Sequence, residues 1–145
     1  MPRRKASASR ESDDLDLGSD KQSPLLEYAE TEANPALGVR GLRLALAHRE
    51  WFLAQLRGLL RAAVHGPLRI MLPMVTSLPE LKVALELVDE ARAQLAEARV
   101  AHSQDVPVGM MVEVPSAVVM MERFVDEVIQ KLGHAYRRRR DLCHG

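Results

Sequence analysis

An α/β fold with parallel strands is what this sequence predicts, on three observations. Two short, mostly apolar runs, Leu68–Val75 and Val106–Val114, are bounded by turn residues and have the length of buried strands. Stretches with apolar residues three and four apart lie before, between and after them, as in helices with one buried face. A crossing that contains a long helix makes neighbouring strands parallel and the connection right-handed. Two clear strands do not complete such a fold. A closed eight-stranded α/β barrel takes about 250 residues, so 145 residues supply at most a consecutive part of one.

Taken in order, residues 1–14 carry Arg3, Arg4, Lys5 and Arg10 among Ser and Ala, then Glu11, Asp13 and Asp14. Their apolar content is too low to pack, and a disordered lead is expected. Leu15 to Asn34 mixes Gly18, Ser19 and Pro24 with Leu25, Leu26 and Tyr28, which suits a long irregular segment on a surface. Leu42, Leu46, Phe52, Leu53, Leu56, Leu59, Leu60 and Val64 then form one apolar face of a helix, and His65-Gly66-Pro67 stops it. In the first strand Pro73 sets the end near Leu72. Ser77 offers an N-cap hydroxyl, Pro79 stands just inside, and Glu80 follows three residues after the cap, so a second helix begins there, with Leu81, Leu85, Val88 and Leu95 inward. Pro115-Ser116 opens a third helix, with Val118, Met121, Val125, Val128, Ile129 and Leu132 on its inner side. Met110, Met111, Met120 and Met121 follow these periods and read as core filler. Residues 129–145 are a basic tail with four consecutive arginines, Arg137 to Arg140.

Charge and composition narrow the function. Twenty basic and twenty acidic side chains give a formal net charge of zero, which removes a whole-molecule electrostatic case for nucleic acid or an anionic membrane. The arginine run lacks interleaved aromatics and reads as a solvated tail. Apolar runs are broken by Arg43, Arg57, Arg69, Glu86 and Glu113 well short of the ~20 residues a spanning helix needs. No membrane span or secretory signal is expected, and the cytoplasm is the expected compartment. A lone cysteine, Cys143, makes no internal disulfide, and no Cys/His spacing suits a structural zinc.

Charged side chains inside the apolar pattern are the candidates for chemistry. In Glu32-Ala33-Asn34-Pro35-Ala36-Leu37-Gly38-Val39-Arg40-Gly41-Leu42-Arg43, two guanidinium groups flank a glycine-hinged turn, an arrangement suited to bidentate binding of phosphate or carboxylate. Arg69 stands inside one apolar run and Glu113 at the end of the other. Charges so placed need partners. Two readings are open: a buried Arg–Glu pair holding the strands in register, or a ligand site in which Glu113, at the carboxyl end of its strand, meets a hard cation.

The segments NPALGVRGLR, QLRGLLRAA, LRIMLPMV and VPVGMMVEVPSA resemble, in order and spacing, the phosphoenolpyruvate-binding barrel of enzyme I of the bacterial sugar phosphotransferase system. Leu15 to Lys21 is similar to that family's DIGGDK segment, so the resemblance runs over about residues 15–126, and LRAA and LRIMLPM favour enzyme I over its dikinase and synthase relatives. It implies a domain over residues 15–128 that is part of a (β/α)8 TIM barrel, binding phosphoenolpyruvate and Mg2+. In that family a histidine on a separate domain takes the phosphoryl group and passes it to a phosphocarrier protein. By motif, the resemblance makes Arg40 and Arg69 substrate-binding and Glu113 a magnesium ligand, with Asn34 and Gly38 shaping the turn that aims Arg40.

The match breaks at both ends. Where the family has a phosphate-gripping arginine ahead of DIGGDK, this chain has Asp13, and after Val128 the family's Asn-Asp-Leu metal motif gives way to Ile129-Gln130-Lys131-Leu132-Gly133-His134. Cys143 is out of context for the family's proton-donating cysteine, and His48, His65, His102, His134 and His144 lack the Gly-rich setting of its phosphohistidine. No catalytic residue is assigned. Two readings result: a truncated phosphoenolpyruvate-protein phosphotransferase holding part of the substrate and Mg2+ site, inactive alone, or a non-catalytic interaction module that pairs with itself or with a full-length relative through open strand edges.

Overall fold

The computed structural model describes residues 10–13 and 38–128. The expected loop over 15–34, the tail from residue 129, and with them Asn34, Ile129, Leu132, His134, Cys143 and His144, lie outside the described residues.

The chain is α/β, as the alternation predicts. The amphipathic stretch after Gly41 folds as two helices, not one: α1 (Leu42–Ala47) and α2 (Arg49–Ala62). They part at His48, whose φ of −111° and ψ of 57° leave the helical region, with its ring stacked on Trp51 at a centroid distance of 4.5 Å. The bend lets α1 pack on both α2 and its other helical neighbour, so Leu44 is buried as well as Leu42 and Ala45. Phe52, Leu53, Leu56 and Leu60 line α2 as the spacing predicts. Val64 does not join them: the helix ends at Ala62, and Val64 is 50% exposed.

Strand β2 (Leu68–Leu72) ends at Pro73 as expected. Ile70 and Leu72 are buried, whereas Arg69 is exposed and Met71 half-buried, so one face of β2 meets the core and the other carries Arg69 and Met71. Helix α3 (Leu78–Glu97) begins with the capping box the sequence predicts: the Ser77 hydroxyl accepts from the Glu80 amide, and the Glu80 carboxylate accepts from the Ser77 amide. Leu81, Leu85, Val88 and Leu95 are buried with Ala84, Leu87 and Ala91.

Strand β3 (Val108–Met110) is shorter than the apolar run that foretold it. Pro107 has no N–H to donate, and past Met111 the chain turns to carry Glu113 towards β2. Helix α4 (Pro115–Val119) stops at Met120, with φ −100° and ψ 13°, and residues 121–128 are helical again. The inner face differs from the expected one even though its spacing runs unbroken through Met120, and among the described residues only Val128 is common to both. Ala117 and Phe124 are buried, with Met120 and Val128 packed beside them, while Val118 is 62% and Val125 43% exposed. Met110 and Met120 do pack against the core as filler.

Residues 10–13, expected within a disordered lead, instead form strand β1 (Arg10–Asp13). It runs parallel to β2, with Arg10 opposite Leu68 and Asp13 opposite Met71. Parallel pairing is made by main-chain groups, which a polar segment carries as well as an apolar one, and side-chain composition is blind to it. Among the described residues the sheet order is β1-β2-β3, all parallel, with β3 pairing Ile70 to Val108 and Leu72 to Met110. The core lies between this sheet and helices α1, α2 and α3.

Candidate functional site

The site grows from a close approach of two backbone segments where β2 ends. Gly41 has φ 53° and ψ −130°, a conformation reserved for glycine. A Cβ at that position would lie 2.7 Å from the Met74 Cβ and 2.9 Å from its Cγ. The Leu42 amide donates to the Pro73 carbonyl at 3.2 Å, so the turn carrying Arg40 is held against the exit of β2. Met74 itself takes φ 53°, and its amide donates to Glu113 Oε1 at 2.7 Å. Arg40 and Glu113, far apart in sequence, therefore sit on segments that both attach to Pro73-Met74. This is the carboxyl end of parallel strands, where α/β folds bind ligands.

Arg69 is placed differently. It lies five residues before Met74, on the open face of β2, and lines a cavity of about 280 Å³ with Gly66, Pro67, Ser103, Asp105 and Pro107 near the amino end of the strand. Arg69 and Glu113 are both exposed, and Glu113 is held by the Met74 amide. The buried Arg–Glu pair open from sequence is thus not formed. Glu113's other oxygen makes no hydrogen bond among the described residues, which leaves it available to a cation.

Sequence reasoning missed a network beside this site. Arg43 donates from Nε to Glu80 Oε1 at 3.2 Å and from Nη2 to Thr76 Oγ1 at 2.9 Å. Glu80 Oε2 accepts from the Thr76 hydroxyl at 2.7 Å, the Thr76 amide at 3.0 Å and the Ser77 amide at 3.2 Å. Partial burial pushes the Glu80 carboxyl up, but the Thr76 and Arg43 hydrogen bonds and the Arg43 charge outweigh it and hold it below the usual carboxylate range. The available signal was Arg43 itself, the second arginine of the glycine-hinged turn, since Glu80 explained itself as a helix cap.

The histidines within the described residues have structural surroundings. His48 marks the helix break, His65 is exposed beyond α2, and His102 Nδ1 lies 2.8 Å from the Val100 carbonyl. Among the described residues no group of three or more His, Cys, Asp or Glu side chains is arranged to hold a metal ion by itself, and no helix is long and apolar enough to cross a membrane.

Comparison with known proteins bears on the same residues. The profile of the family described as PEP-utilising enzyme, PEP-binding domain, matches residues 13–130. The chain is 46% identical over 114 residues to the phosphoenolpyruvate-protein phosphotransferase of Bacillus subtilis (strain 168), 45% over 114 residues to that of Priestia megaterium and 44% over 116 residues to that of Streptococcus equinus. Each alignment covers 79% of this chain and 20% of the relative, so the chain spans about a fifth of the length of the relatives it matches. The matched region runs through the Arg40 turn, β2, the Arg43–Glu80 network and Glu113, and on that ground the chain belongs to the PEP-utilising enzymes, within their PEP-binding domain.

Proposed function

We propose that this chain is the part of a phosphoenolpyruvate-protein phosphotransferase that grips phosphoenolpyruvate and Mg2+. The observation that carries this is the convergence of the Arg40 turn and Glu113 on Pro73-Met74 at the carboxyl end of the sheet. Arg40 holds the substrate phosphate. Arg69 is the second guanidinium that the family resemblance assigns to the substrate, although its backbone position lies towards the amino end of β2, five residues before Met74. Phosphoryl transfer depends mainly on positioning and charge neutralisation, which arginines and a divalent cation provide. Glu113 fits Mg2+ as a single hard oxygen ligand, because that ion keeps several waters and is commonly held by one or two carboxylates together with substrate phosphate. When bound, the ion neutralises charge on the substrate oxygens; the chain's own part is to orient the anion and keep the carboxylate in place through the Met74 amide.

The three parallel strands belong to a (β/α)8 barrel, a reading supported by the strand order, the helices between successive strands and the Arg69–Met71 face turned away from them. Its setting is the cytoplasm, and in the intact enzyme the phosphoryl group passes through a histidine domain to a phosphocarrier protein. A second reading, a non-catalytic module that associates with itself or a full-length relative, is favoured by the exposure of Val112, Val118, Val119 and Val125.

Thermal unfolding with and without millimolar phosphoenolpyruvate and Mg2+ tests the first reading. A transition raised by the two together, and indifferent to them in Arg40→Ala and Glu113→Ala, is the expected result. A wild-type transition indifferent to both ligands leaves the second reading.

A further inference from the structure

We propose that Arg43, with Thr76 and Glu80, is a positioning device that locks the Arg40 turn to the loop whose amide holds Glu113, fixing the spacing of the phosphate-binding and metal-binding groups. The inference rests on the phosphoenolpyruvate reading above and adds to it residues that touch neither substrate nor metal.

The three side chains form a closed ring. Arg43 donates to Thr76 and to Glu80 from two nitrogens of one planar fork, and the Thr76 hydroxyl, while accepting from Arg43, donates to Glu80. Each bond restricts the rotamers of the other two members, and a guanidinium serves such a ring where an ammonium does not. The ring spans two segments. Arg43 lies three residues after Arg40 in α1, and Thr76 lies two residues after Met74 in the loop between β2 and α3. Glu80 roots both in the first turn of α3, because the oxygen that meets the Thr76 hydroxyl also accepts from the Thr76 and Ser77 amides. The Arg40 turn thus gains two further attachments beside the Leu42 to Pro73 hydrogen bond, one to Thr76 on the loop that places Met74 under Glu113 and one to Glu80 in the first turn of α3.

Energetics favour a geometric role. The Arg43 and Glu80 side chains are 44% and 21% exposed, and ion pairs of that exposure add little to global stability. What a closed ring supplies at such a place is restricted motion. Arg43→Ala should therefore leave the melting temperature close to wild type while loosening the two segments against each other.

The test uses the full chain and two readouts, in wild type, Arg43→Ala, Arg43→Lys and Thr76→Val. Amide hydrogen exchange at Leu42 and Met74 reads the lock without any ligand. Calorimetric titration of phosphoenolpyruvate at saturating Mg2+ reads its consequence. The expected result is faster exchange at both amides and roughly tenfold weaker affinity in Arg43→Ala, with Arg43→Lys failing to restore either because it keeps the charge but loses the fork. Unchanged exchange in Arg43→Ala, wild-type behaviour of Arg43→Lys, or faster exchange with unaltered affinity would each overturn the positioning role. A wild-type chain that binds no phosphoenolpyruvate overturns the site reading instead, and the exchange data then decide the lock alone.

Discussion

At the scale of single residues, the site depends on a backbone contact that admits no side chain on one of its two partners. Gly41 and Met74 both take φ 53° and face each other, with an added Cβ on Gly41 only 2.7 Å from that of Met74. Gly41→Ala combines a conformation L-residues avoid with a steric overlap, and a loss of about 1–3 kcal/mol in urea unfolding is expected. Part of that loss comes from Met74. In a Met74→Gly background the overlap is gone and the left-handed backbone suits the new residue, so the same Gly41→Ala change should cost measurably less. Strict additivity in this double-mutant cycle would show that the two positions do not press on each other. The residues that bear charge at the site were legible in the sequence because Arg69 and Glu113 interrupt apolar runs and Arg40 adjoins a glycine. Their grouping was not. Nothing local in Pro73-Met74-Val75 announces a left-handed methionine, and that methionine's amide is what ties Glu113 to the Arg40 turn.

Elements whose boundaries are set by neighbouring residues were the readable ones. Pro73 ends β2, and Ser77, Pro79 and Glu80 start α3, through chemistry that acts over three or four residues. The break of the first helix at His48, the interruption at Met120 and the strand β1 answer to packing and pairing with distant segments, and there the periodicity misled. In the last helical stretch Phe124 packs inward and Val125 outward, so the apolar stripe read from the sequence lies one position off the buried one, whose members Ala117, Met120, Phe124 and Val128 keep helical spacing straight through Met120. The first turn of α3 also carries a pH dependence. Glu80 is held below its ordinary value of 4.5 in the folded chain, so the unfolded state binds its proton first as pH falls, and folding drives the carboxylate form. The stability this supplies is fully present above about the unfolded value and is lost as pH drops through the lower folded value. Melting curves of wild type and Glu80→Gln should therefore differ most near neutrality and converge in acid below pH 4.5. A constant gap across that range would mean that Glu80 contributes shape and no ionisation to the cap and the Arg43 ring.

Over the whole molecule, burial is uneven. Among the described residues, helices α1, α2 and α3 and strand β2 supply most of the core, whereas the stretch from the end of α3 to residue 128 adds Val106, Ala117 and Phe124 as its buried apolar side chains. Lys82 and Glu127 join α3 to the last described helical turn at 3.1 Å, but a partly exposed pair of this kind anchors weakly. Local opening free energy follows such differences in buried contact. Amides of β2, α2 and α3 should exchange only through global unfolding, and those of 114–128 through a smaller opening that leaves the rest folded. Phe124→Ala separates the possibilities. Removing a buried phenylalanine costs about 3–5 kcal/mol wherever its surroundings unfold with it. If 114–128 opens on its own, the loss is confined to that segment, and protection in α2 and α3 stays near wild type. If protection falls equally everywhere, the chain is one cooperative unit. The outcome bears on the site, because Glu113 sits at the hinge between the two regions, one residue before the N-cap of α4 and bonded to the end of β2. A separately opening segment would carry the carboxylate away from the Arg40 turn without unfolding the core, and Mg2+ with phosphoenolpyruvate should then slow exchange in 114–128 more than in α2 or α3.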